Sequence, residues 1–161
     1  MNQPDRLGFE GFRRSDGRVG VRNHVLVVPT VVCSAVVTER IANAVNGAVA
    51  LPHLAGCGQL GPDMETTHET LAAYCQHPNV GAVLVVALGC EQVVAQMLAE
   101  SARGAGKRSA IVSIQGEGGT PKAIAKGTAL AAELAHDLQR EGRSWCGAED
   151  LILSLKCGGS D

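Results

Sequence analysis

The chain reads as an α/β domain: an open, mostly parallel five-stranded sheet with helices on both faces. Three observations predict it. Apolar runs lacking polar alternation recur between helix-like stretches, which is how strands buried on both faces are written. Hydrophobic residues make up 45% of the chain but aromatics 2%, so the core is built from Val, Leu, Ile and Ala, which suits parallel strands under Ala-rich helices better than an aromatic-rich sandwich. Finally, 161 residues suffice for one well-buried core.

Taken in order, residues 1–22 do not fit the repeat. The stretch RRSDGRVGVRN carries two glycines and five charges and reads as a surface arm leading into the first strand. The α/β domain is expected over 23–161. Its strands are predicted at 24–32 (HVLVVPTVV), 48–54 (AVALPHL), 80–89 (VGAVLVVALG), 109–115 (SAIVSIQ) and 150–157 (DLILSLKC). Helices are predicted at 34–45, 63–76, 91–104 and 120–141, with Ser34 and Thr120 as N-caps and Gly47, Gly104 and Gly142 near the ends where a left-handed residue is wanted. Right-handed crossovers turn this β-α alternation into an open sheet, for which the flavodoxin-like (Rossmann-like) order 2-1-3-4-5 is favoured.

Charge and hydropathy exclude several classes of partner. A formal net charge of -2 and a pI near 6.2 give no reason to expect nucleic acid or an anionic membrane. No apolar run approaches the roughly 20 residues that span a bilayer, and the first residues lack the apolar core of a signal peptide, so the chain reads as cytoplasmic. Six cysteines in such a context are thiols, ligands or small buried hydrophobes rather than disulfides.

In an open parallel sheet, ligands bind outside the carboxyl ends of the strands, near the point where the strand order reverses. Cysteines follow four of the five predicted strands: Cys33, Cys57, Cys90 and Cys157. Soft thiolates select zinc, iron or iron-sulfur centres, and the lack of a C-x-x-C knuckle argues for a site assembled from separate strand ends. Set against this, buried free cysteine is common as a small hydrophobe, and Cys75 and Cys146, away from that edge, are read that way. His53, at the mouth of the second strand, is a ligand or a general acid/base, or simply a loop cap. The run Gln115-Gly116-Glu117-Gly118-Gly119-Thr120 ahead of a helix is either an anion cradle suited to a carboxylate or a plain strand-to-helix turn. It lacks both the G-K-[ST] ending and the G-x-G-x-x-G fingerprint of nucleotide sites. Arg22 is a cation available to a carboxylate, although exposed arginines usually do nothing specific.

The segments DGRVGVRN, VPTVVCS, PHLAGCGQLGPD, HPNVGAVLVVALGCE, IQGEGGT and LKCGGSD, in that order, resemble the large-chain core of the altronate/galactarate dehydratase family, which also holds the large subunit of sulfolactate sulfo-lyase. The resemblance runs over nearly all of the chain from Phe12 onward. It implies a lyase that removes water, or sulfite, from a hydroxy acid such as galactarate or altronate, usually with iron, as Fe2+ or an iron-sulfur cluster, with Mn2+ as an alternative. It further implies Cys33, Cys57, Cys90 and Cys157 as metal or cluster ligands and His53, Gln59, Glu91, Lys156, Ser160 and Asp161 around the substrate, with His53 or Lys156 as the base; Arg22, Gln115, Gly118, Gly119 and Thr120 join the substrate candidates from the reading of the residues themselves. Family members continue past KCGGSD, and some carry a small domain ahead of the DGR segment. The expectation is therefore a fragment, inactive alone, of a longer catalytic chain, partnered by the remainder of that chain and by a small subunit where the small domain is separate, with a homo-oligomer open. The rival reading is a non-catalytic flavodoxin-like binding or assembly module whose cysteines are merely buried.

Overall fold

The computed structural model describes residues 7–91 and 93–159. Its centre is a parallel four-stranded sheet in the order β4-β3-β5-β6, made of β3 (His24–Pro29), β4 (Ala48–Ala50), β5 (Val80–Ala87) and β6 (Arg108–Ser113). A second, antiparallel sheet in the order β2-β1-β7 joins β1 (Gly8–Arg13) with β2 (Val19–Gly20) and β7 (Ser144–Gly147).

The Val-rich runs form the two central strands because they have apolar cover on both sides. Every residue of β5 is buried, as is β3 from Val25 onward. Val25, Val27, Leu84 and Val86 pack on one face with Ile41 of α1 (Ala35–Asn43) and Ala131 and Leu134 of α4 (Thr120–Leu138). Leu26, Val28, Val83 and Val85 pack on the other with Leu71 and Cys75 of α2 (Pro62–Gln76) and Leu98 and Ala102 of α3 (Ala95–Gly104). Burial of Ala and Gly on α4 lets it lie close: a Cβ at Gly127 would collide with Ile41.

Four expectations are corrected here. Residues 150–157 form no strand: 148–150 are a 3-10 turn and 151–157 run on as exposed chain, so the described residues hold a four-stranded parallel sheet rather than five strands in one sheet. The run is apolar enough for a strand, but β6, the edge it would extend, has β5 as its one neighbour. The stretch from Gly8 to Gly20 is not a simple arm, because Gly8–Arg13 pairs with both β2 and β7. Helix α3 begins at Ala95, not at residue 91, and the N-cap of α4 is Gly119, which leaves Thr120 as the first helical residue.

The small sheet closes the amino edge of the large one through Arg14. Its guanidinium donates to Pro78 O (2.8 Å), Asn23 Oδ1 (2.8 Å) and Arg22 O (3.2 Å) and pairs with Glu141 (3.3 Å). Beside it Lys107, 5% exposed, donates from Nζ to the carbonyls of Cys75 (3.0 Å) and His77 (2.6 Å) at the end of α2. Burial is the main cause that pushes the Lys107 ammonium down to about 8, and it pushes the Cys75 thiol up to about 12.

Candidate functional site

Strand order reverses between β3 and β5, and the loops that leave their carboxyl ends enclose a cavity of about 110 Å3. It is lined by Val31, Cys33, Gly56, Cys57, Gly58, Leu88, Cys90 and Glu91. Three loops from three strands therefore meet here, and each brings an exposed thiol.

What draws the loops together is a set of specific bonds. From the loop after β4, His53 Nε2 donates to Pro29 O at the end of β3 (2.9 Å), while its Nδ1 accepts from the Ala55 amide (3.2 Å), an arrangement that places the ring proton on Nε2. The amide of Val32 donates to Ala55 O (3.0 Å), and Gln59 Oε1 accepts from Gly56 N (2.9 Å). Gly56 has φ +95°, and a Cβ there would stand 2.6 Å from Thr30 O, so the close approach of the Cys57 loop to the Cys33 loop requires glycine.

The Cys90 loop is fastened by its neighbour Glu91. One carboxylate oxygen accepts from the hydroxyl of buried Thr30 (2.6 Å) and the amide of Leu88 (3.0 Å); the other accepts from the amide of Gly89 (2.5 Å). Burial alone would raise this carboxyl. The hydrogen bonds from Thr30 and from the amides of Gly89, Glu91 and Leu88 outweigh it and hold the group below the usual glutamate range, so Glu91 is ionised at neutral pH. Gly89, at φ +122°, turns the chain so that its own amide and that of Leu88 face that carboxylate. Gln115 packs against Gly89 from the next loop.

The other candidates lie elsewhere or are already engaged. In the Gly-rich turn the amides of Gly116, Glu117, Gly118 and Gly119 donate to Ser113 Oγ, Ser113 O, Gln115 O and Ile114 O, which makes this segment a closed strand-to-helix turn ahead of Thr120. Arg22 stands at the opposite, amino edge, donating to Val21 O and lining a cleft with Phe9, Arg143 and Leu151. Lys156 and Cys157 sit on the exposed segment 151–157, where Lys156 Nζ donates to Cys157 O (2.9 Å), and neither lines the thiol cavity. Ser160 and Asp161 lie outside the described residues. Thr30 is the residue that motif reading missed. Its signal was a lone hydroxyl inside an apolar run, at the first position after β3 ends.

Thiols from separate loops are the donor type that soft metals select. As placed, the three share a cavity but not a coordination sphere: among the described residues no three His, Cys, Asp or Glu side chains stand close enough to hold one ion.

Residues 11–139 match the profile of the second domain of D-galactarate dehydratase/altronate hydrolase, a span covering most of the α/β unit and every loop of the cavity. The chain belongs to this family. Within the dehydratase family it is 38% identical over 156 residues to a (2R)-sulfolactate sulfo-lyase subunit beta of Chromohalobacter salexigens, covering 95% of the chain and 39% of that relative. It is 33% identical over 163 residues to an altronate dehydratase of Bacillus subtilis (95% of the chain, 32% of the relative) and 31% identical over 173 residues to a galactarate dehydratase (L-threo-forming) of Escherichia coli (95% and 33%). The chain thus spans about a third of the length of these relatives. Among the described residues no helix is long and apolar enough to cross a membrane.

Proposed function

We propose that the chain supplies the thiol-lined half of a metal-assisted lyase centre acting on a sugar acid such as galactarate or altronate. The observation that carries this reading is the convergence of Cys33, Cys57 and Cys90 on one cavity at the strand-order reversal. In a dehydration beside a carboxylate, a base takes the α proton and a Lewis or general acid helps hydroxide depart. Cys33, Cys57 and Cys90, with Cys157 as the fourth donor, would hold iron, which when bound supplies that Lewis acidity.

The protein's own side chains divide the remaining work. His53 has both ring nitrogens committed to backbone groups and acts as the fastener between the Cys33 and Cys57 loops. Glu91, ionised and tied to Thr30, holds the Cys90 loop and sets a negative charge beside the thiols. Lys156, one residue before Cys157, is the base assigned to the α proton. Gln59 and Gln115 bound the substrate pocket.

A second reading has its own support. The 38% identity to a sulfolactate sulfo-lyase subunit favours elimination of sulfite in place of water, with a separate subunit completing the enzyme. Assay of the native enzyme purified from cells on a panel of aldarates, aldonates and sulfolactate separates the two. Dehydration of an aldarate or aldonate is the expected result; turnover of sulfolactate alone selects the sulfo-lyase, and no turnover of either class in an enzyme that retains its iron contradicts both.

A further inference from the structure

The outer edge of β6 and the segment after β7 each lack what the other offers. Strand β6 is paired on one side, by β5, and its residues Ala110 and Ile111 are half-buried where the equivalent positions of β5 are wholly buried. Along that edge runs an open groove of about 540 Å3, floored by Lys107 to Ala110 and walled by Leu130, Glu133 and Leu134 of α4. An unpaired parallel edge beside an apolar wall is a site for strand addition.

The segment 151–156 is built to fill such a place. Ile152 and Leu153 are 75% exposed and Leu155 88% exposed, so that four of the six residues are large and apolar, broken by Ser154 and closed by Lys156. It is as long as β6, six residues, or roughly 20 Å when extended. It also starts from the correct end. Asp150 is tied to Arg13 (3.1 Å), and Arg13 lines a cleft shared with Gly106 and Lys107, where β6 begins.

We propose that residues 151–156 dock along the outer edge of β6 as a fifth parallel strand, filling the groove against α4. With Leu151 opposite Arg108, Leu153 and Leu155 fall on the α4 face, beside Ala110, Leu130 and Ile124, while Ile152 falls on the α3 face beside Ile111. Arg108, which pairs with Glu133 and Asp137 across the top of the groove, swings aside to admit the strand. Running parallel to β6, the docked strand delivers Lys156 and Cys157 to the carboxyl edge, where Cys33, Cys57 and Cys90 lie. The docking itself stands whether or not that edge holds iron; the arrival of Cys157 as fourth donor rests on the proposed function.

The test is a thiol pair read without metal or substrate. In the full chain carrying Ala110→Cys and Leu153→Cys, mild oxidation and peptide mapping should find the two introduced thiols joined within one chain, since directly opposed strand neighbours meet the disulfide distance requirement. The shifted pair Ser109→Cys with Leu153→Cys, on opposite faces, should be at least tenfold less joined. Alongside, hydrogen exchange of the unsubstituted chain should show the amides of 151–156 slowed at least a hundredfold relative to an unstructured peptide. Joining between two chains in place of one makes a second copy the occupant and overturns the proposal, as do equal yields for the two pairs or exchange of 151–156 at unstructured rates.

Discussion

The two edges of the parallel sheet use polar residues in opposite ways. At the amino edge, Arg14, Asn23 and Glu141 spend their hydrogen-bonding groups on one another and on backbone carbonyls, and Lys107 caps the end of α2 from a buried position. At the carboxyl edge, His53, Gln59, Thr30 and Glu91 spend theirs on tying loops together, and three thiols are left exposed around the cavity that results. The first arrangement is a fastening between two sheets. The second is a frame built around groups it does not itself use, and such a residue is where chemistry is to be sought.

If that contrast holds, substitutions at the amino edge cost stability, and thiol substitutions at the carboxyl edge cost function alone. The largest stability loss is expected from Arg14→Met, which leaves Asn23 and Glu141 without their shared partner: about 3 kcal/mol in urea unfolding. Thr30→Val strips the hydroxyl from ionised Glu91 and is expected to cost about 1.5 kcal/mol, because the two amides on the carboxylate remain. Since the folded-state pKa of Glu91 is depressed, its contribution is present above the unfolded glutamate value of 4.5 and is lost as pH falls through the lower folded value; Glu91→Gln should flatten that acid limb.

Smaller effects come from the alkaline side. Lys107 titrates at about 8 in the fold against 10.5 unfolded, so from pH 8 upward the unfolded chain binds more protons and stability rises. The Cys75 thiol has the opposite sign: at about 12 in the fold against 9.0 unfolded, it lowers stability as pH climbs above 9. Unfolding free energies between pH 8 and 9 should therefore rise in the unsubstituted chain and stay level in Lys107→Met, while Cys75→Ala should extend the rise past pH 9. Smallest of all, Cys57→Ser should move stability by no more than about 0.5 kcal/mol, because the side chain is exposed.

Much of the large sheet was legible because its message is local. The Val runs of β3 and β5 have one low-energy use, burial on both faces, and the loops that follow them in a parallel sheet must share an edge. Strand β7 escaped notice because Ser144–Gly147 is four residues, the first two of them exposed, and its pairing partner β1 lies more than 130 positions away. The run at 150–157 shows the converse: an apolar pattern states that a segment can be a strand but not which edge receives it. In the site, the placement of Cys33, Cys57 and Cys90 was readable from strand ends, that of Cys157 was not, and the Thr30–Glu91 bond joins residues 61 positions apart and could not be. The glycine turn at 116–119 suggested an anion cradle because composition does not reveal that its amides are consumed within the turn.

The central claim is that Cys33, Cys57 and Cys90 act as one centre, and anaerobic iron and sulfide analysis of the native enzyme beside its Cys33→Ser, Cys57→Ser and Cys90→Ser variants tests it most directly. Iron in the native enzyme and its loss, at least tenfold, from each folded variant alike is the expected result. An enzyme fully active without iron, or variants that each keep their full complement, would contradict it.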